Sequence, residues 1–137
     1  MILLDTSVLS LAYRRRTPPQ GDREMQVRDT FARLIAVNRP LAVPGIVVQE
    51  LLAGIRTPLQ FEVVLADLRS FHVMLATEED HLAAARIMSA CAASGVVAKN
   101  LDCLIAAQAV LSGGELYTTD TDFDRIATVC ALGLFRP

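Results

Sequence analysis

Ile2, Leu3 and Leu4 run directly into Asp5, and Thr6 and Ser7 follow before Val8, Leu9, Leu11 and Ala12 take up helical spacing. No other stretch restricts the fold as much. Consecutive apolar residues suit a strand covered on both faces, the kind found in parallel sheets. A carboxylate at the tip of such a strand is costly unless hydrogen bonds, an opposite charge or a metal compensates it. Residues 2–5 are therefore expected to form a first strand that delivers Asp5 to a sheet edge. Thr6 or Ser7 is expected to cap the helix behind it.

The same punctuation recurs down the chain. Leu41-Ala42-Val43, His72-Val73-Met74-Leu75, Leu116-Tyr117-Thr118 and the segment Leu132 to Phe135 read as further short strands. Helical spacing fills the intervals. From Asp22, the residues Val27, Phe31, Leu34 and Ile35 share an inward face, and the helix stops before Pro40. Ile46 to Ile55 turns Val47, Leu51 and Leu52 inward, with Glu50 among them. A helix from Pro58 repeats Phe61, Val64, Leu65 and Leu68. Thr77 and Asp80 make a capping-box pair for a helix through Ile87 and Cys91 to Gly95. After a loop over 96–101, Asp102 opens an Ala-rich helix, Leu104 to Leu111, which Gly113 and Gly114 close. Ile126 and Val129 begin a last packing element. Strands alternating with helices imply a parallel sheet covered on both faces, and 137 residues fit a single domain, 1–137, with a core of its own.

Several classes are disfavoured. With 53% hydrophobic and 20% charged residues the chain is expected to fold. The net charge of −2 gives no global pull toward nucleic acid, although local patches matter more for a small site. Cys91, Cys103 and Cys130 lack zinc spacing with each other or with His72 and His81, and read as buried thiols in a reducing compartment. Asp5 interrupts the N-terminal apolar run, which rules against a signal peptide. No segment has the roughly 20 apolar residues of a membrane helix. A soluble, cytoplasmic protein is expected.

Ligands of open parallel sheets sit beyond the carboxyl ends of the strands. Two strands lead there into acid, the first at Asp5 and the fourth at Asp120 with Asp122 behind it. Asp102 lies at the start of the helix leading into the fourth strand, and Glu50 on a helix that packs on the sheet. Each has a plain reading on its own: Asp102 as a helix cap, Asp120 and Asp122 as an Asx turn, Glu50 as a solvated helix residue. Asp80, Glu79 and Asp124 read as solvated helix starts. Brought together, the carboxylates would repel one another unless a cation joined them. An all-oxygen set favours Mg²⁺ or Mn²⁺ over zinc. Such an ion activates water toward a phosphodiester.

Four stretches together resemble the PIN-domain nucleases, and among them the VapC-type toxins of toxin–antitoxin systems. They are Leu3-Leu4-Asp5-Thr6-Ser7, Val48-Gln49-Glu50-Leu51-Leu52-Ala53-Gly54-Ile55, Asp102-Cys103-Leu104-Ile105-Ala106-Ala107-Gln108-Ala109 and Leu116-Tyr117-Thr118-Thr119-Asp120-Thr121-Asp122-Phe123. The resemblance implies a three-layer α/β/α sandwich with a central parallel sheet and a Mg²⁺- or Mn²⁺-dependent endoribonuclease. It implies that Asp5, Glu50, Asp102 and Asp120 form an acidic quartet with Asp122 as a fifth ligand. Thr6, Ser7 and Thr119 would orient ligands or the scissile phosphate. It further implies structured RNA such as tRNA or rRNA as substrate, a cognate antitoxin covering the groove, and a homodimer. The link Arg14 to Gly21, rich in Arg and Pro, departs from the family pattern and is expected at the RNA or antitoxin edge. Two other readings stand beside this one. One is a catalytically silent PIN-like module that binds RNA or protein. The other is a phosphatase using Asp5 as nucleophile, which Ser7 disfavours, because it stands where such enzymes need a second aspartate.

Overall fold

The computed structural model describes residues 1–13 and 21–137. The basic stretch Arg14 to Arg16, and the residues after it up to Gln20, lie outside the described residues. The first strand, β1 (Ile2–Leu4), is fully buried, as its unbroken apolar run requires. It passes without a loop into α1 (Thr6–Ala12). The cap of that helix is Asp5 itself, whose side chain accepts from the Ser7 amide, and not Thr6 or Ser7. A helix entered directly from a strand puts the last strand residue at the cap position, one place ahead of the hydroxyls.

The remaining elements are α2 (Asp22–Ala36), β2 (Leu41–Pro44), α3 (Gly45–Ala53), α4 (Pro58–Leu68), β3 (His72–Met74), α5 (Glu78–Ala93), α6 (Asn100–Ser112), β4 (Glu115–Tyr117), α7 (Asp122–Ile126) and β5 (Gly133–Leu134). The strands form one parallel sheet in the order β3-β2-β1-β4-β5. Right-handed crossovers decide the layers. The connections β1 to β2 and β2 to β3 step one way across the sheet and put α1 to α4 on one face. The connections β3 to β4 and β4 to β5 step the other way and put α5 to α7 on the opposite face. Packing follows this division: α1 touches α2 and α3, while α6 touches α5 and α7. The result is a three-layer α/β/α sandwich.

The helices form where the apolar spacing places them, with some differences; the last helix, α7, begins at Asp122 and ends at Ile126, short of Val129. Ile35 is half exposed, because Val27, Phe31 and Leu34 already fill the inward stripe of α2. Glu24, on that same stripe, is buried and paired with Arg28 at 2.9 Å. Asp80 is buried too, because it closes the capping box by accepting from the Thr77 amide at 2.8 Å. Finally, α6 starts at Asn100, so Asp102 lies in its first turn and makes no cap. Cys91 and Cys103 are buried as expected, whereas Cys130 is half-buried and donates to the Ile126 carbonyl. Among the described residues no helix is long and apolar enough to cross a membrane.

Two glycines connect α6 to β4. Gly113 has φ +67°, the left-handed turn that ends many helices. Gly114 is needed for space: a Cβ there would lie 2.7 Å from Leu3 Cδ1 and 3.1 Å from the Met1 carbonyl oxygen. Leu3 is fully buried, and the Met1 carbonyl is held by the Glu115 amide at 3.1 Å. Gly114→Ala should therefore cost about 1–3 kcal/mol of overpacking, read as a lower urea midpoint with an unchanged slope.

Candidate active site

The site begins with the sheet topology. The crossovers leaving β1 and β4, which are neighbours, go to opposite faces, so a crevice opens beyond their carboxyl ends. Asp5 follows β1 there, and Thr118, Thr119 and Asp120 follow β4. The register pairs Leu4 with Tyr117, and the Asp5 amide donates to the Tyr117 carbonyl at 3.1 Å. The next residue pair is therefore Asp5 and Thr118.

Asp5 is 6% exposed, and its Oδ2 collects three donors. They are Ser7 Oγ at 2.6 Å, Thr118 Oγ1 at 2.8 Å and the Ser7 amide at 3.4 Å. Among the described residues no donor is bonded to Oδ1. Each hydroxyl uses its only proton on Asp5, so its lone pairs are left to accept. Ser7 Oγ accepts the Thr119 amide at 3.0 Å, and Thr118 Oγ1 accepts the Asp120 amide at 3.0 Å. The tip of β1 thereby shapes the loop after β4. Thr118 was not among the residues singled out from the sequence. The signal was present in the paired threonines, but only the register tells which one meets Asp5. Thr119 acts here through its backbone.

Asp102, Asp120 and Asp122 come together. One carboxylate oxygen from each lies within 4.8 Å of the other two. The Asp122 amide donates to Asp120 Oδ1 at 2.9 Å, so the Asx-turn reading describes this loop as well. Arg125 flanks Asp122 at 3.5 Å. Asp5 is close enough to act on Asp102 electrostatically but is outside this three-carboxylate group, as is Glu50. Glu50 accepts from Thr6 Oγ1 at 2.8 Å, which attaches α3 to the residue after Asp5.

Asp102 is the least compensated of these acids. Its Oδ2 is buried with no hydrogen-bond partner among the described residues. Burial is the largest effect raising its pKa, and Asp120, Asp5 and Asp122 add to it while Lys99 opposes it. The carboxyl moves from 3.8 to about 6. An orphaned anionic oxygen among other carboxylates fits a hard divalent cation, and the group contains neither sulfur nor imidazole.

The chain as a whole is similar to known proteins. A family model described as PIN domain matches residues 2–129. The crystal structure of FitAcB from Neisseria gonorrhoeae superimposes with a TM-score of 0.76 at 26% identity, covering 100% of this chain and 98% of that one. VapBC2 from Rickettsia felis, bound to a promoter DNA fragment, gives 0.76 at 22% identity, covering 98% of each chain. Mycobacterium tuberculosis VapC20, a sarcin–ricin-loop-cleaving toxin, gives 0.70 at 20% identity over 100% of both chains. No curated protein matches the chain.

Asp102 binds its proton more tightly in the folded than in the unfolded chain. Its contribution to stability is therefore full below about pH 4 and is lost as pH rises to about 6. After allowance for its partial exposure the loss is on the order of 1 kcal/mol, or about 4 °C in Tm. In EDTA, Asp102→Asn should remove this fall and melt higher than wild type at pH 7, as followed by thermal melts across the pH range. Thr118→Val should destabilise by about 1.5–3 kcal/mol, because it takes a donor from a buried carboxylate. Chemical denaturation measures that loss.

Proposed function

The chain belongs to the PIN-domain family, and from that premise we propose that it is a divalent-metal-dependent endoribonuclease, the toxin of a toxin–antitoxin pair. The observation that carries this reading is the buried, unpartnered Oδ2 of Asp102, a carboxylate that clusters with Asp120 and Asp122. Three carboxylates held this close repel one another, and a bound cation offsets that repulsion.

Asp102, Asp120 and Asp122 would hold Mg²⁺ or Mn²⁺, with Asp5 and Glu50 completing the acidic set around the crevice. A bound divalent ion supplies an activated water and neutralises charge on the phosphate. The protein's own residues organise that site. Ser7 and Thr118 fix the Asp5 carboxylate through Oδ2, so Oδ1 is the atom available to the crevice. Thr6 holds Glu50 in the same way. Ser7, by accepting the Thr119 amide, also holds the loop on which Asp120 must stay placed.

Residues 1–137 are read as one catalytic domain working in the cytoplasm on structured RNA. The cleaved RNA loop of VapC20 supports the substrate class by analogy. The solved complexes from Rickettsia felis, Klebsiella pneumoniae and Salmonella typhimurium support a cognate antitoxin. The expected assembly is a homodimer.

The test is 5′-end mapping of RNA after brief expression of wild type and Asp5→Asn. Wild type should give new, discrete ends. Asp5→Asn should lower cleavage by at least about a hundredfold while keeping the circular dichroism of the fold. EDTA should silence the purified protein and Mn²⁺ restore it. If wild type cuts no RNA in Mn²⁺, the chain is a silent PIN-like binding module.

A further inference from the structure

A nuclease with a strongly acidic centre has to hold a polyanion beside it. Next to the carboxylates lies a cavity of about 260 Å³ that shares Thr119 and Asp120 with the site. Its volume is slightly below the roughly 300–1,000 Å³ of sites for drug-sized ligands, which suits a single nucleotide.

Among the described residues, two cations line it. Arg23, in the first turn of α2, donates to the carbonyl of Thr119, the residue between Thr118 and Asp120. That bond uses one of the five N–H donors of a guanidinium. Arg136, near the C-terminus, lines the same cavity and is paired with Asp124. Both members of that pair are about half exposed, so the pair holds Arg136 weakly and exchanges readily for a phosphate. The apolar part of the lining is Val27, Pro137 and the two rings of Tyr117 and Phe135. Phe135 packs edge-on against the buried Tyr117 with ring centroids 5.2 Å apart.

Guanidinium groups beside an aromatic ring match a nucleotide: the fork geometry suits phosphate oxygens, and a base packs on a π-face. We propose that this cavity holds the nucleotide adjoining the scissile phosphate in an unpaired RNA segment. Arg23 and Arg136 take its phosphate and Phe135 takes its base. The assignment rests on the nuclease reading above. It gives Arg23 two roles, binding substrate and tying α2 to the loop that presents Asp120.

Binding is measured by fluorescence anisotropy with a short, 5′-labelled single-stranded oligoribonucleotide in Ca²⁺, over a salt series. Arg23→Ala and Arg136→Ala should each weaken binding about tenfold. Made together, the two substitutions should also lower the slope of log affinity against log salt by about 0.7, one phosphate contact on a single strand, with each alone giving part of that change. Arg23→Lys should keep the slope, and KM should rise more than kcat falls. An unchanged affinity, or a loss of affinity at an unchanged slope, overturns the proposal and leaves Arg23 a purely structural tie. Wild-type cleavage in Mn²⁺, measured alongside, separates the two readings. Normal cleavage with an unaltered slope in the variants sinks only the nucleotide cavity. Arginine-dependent binding without any cleavage sinks only the nuclease.

Discussion

A carboxylate buried at the end of an apolar strand is the constraint around which this molecule is built. Asp5 is there because Ile2, Leu3 and Leu4 form the central strand, and it stays there because three donors meet its Oδ2. Leaving such a group without partners would cost more than a small domain can lose. The compensation extends outward. Two hydroxyls that donate to Asp5 must accept elsewhere, and they accept consecutive amides of the loop after β4. One oxygen atom thus caps α1, joins β1 to β4 and sets the path of the chain toward Asp120.

That arrangement lies at the point where the helical crossovers diverge, which leaves the crevice open to solvent and substrate. Opposing effects meet at Asp102. The first turn of α6 favours an anion by roughly 0.3–1 kcal/mol, and Lys99 acts in the same direction. Burial and three neighbouring acids outweigh both, as the carboxyl's rise to about 6 shows. The fold therefore carries a local instability at Asp102, the trade-off expected where function and stability compete for the same residues.

Much of the fold is legible in the sequence because its elements are locally specified. Short apolar runs bounded by Pro and Gly mark the strands. The Thr77–Asp80 pair and Pro58 mark helix starts, and the structure places helices at both. Where local reading and structure part, a tertiary fact intervened. Ile35 has helical spacing but finds the stripe already filled, and Asp80 looks solvated until its partner is seen. Asp102 reads as a cap, yet α6 begins before it.

By itself the sequence determined the alternation of strands and helices and the presence of an acid that must be compensated at the tip of β1. Both follow from the local cost of exposing apolar groups or burying charged ones. Only the tertiary structure decided that Thr118 meets Asp5, that Asp102, Asp120 and Asp122 cluster while Glu50 is held by Thr6, and that Arg23 reaches the Thr119 carbonyl. Parallel strands are joined through long crossovers, so their register is set by packing across the whole sheet. Periodicity within one segment contains no record of it.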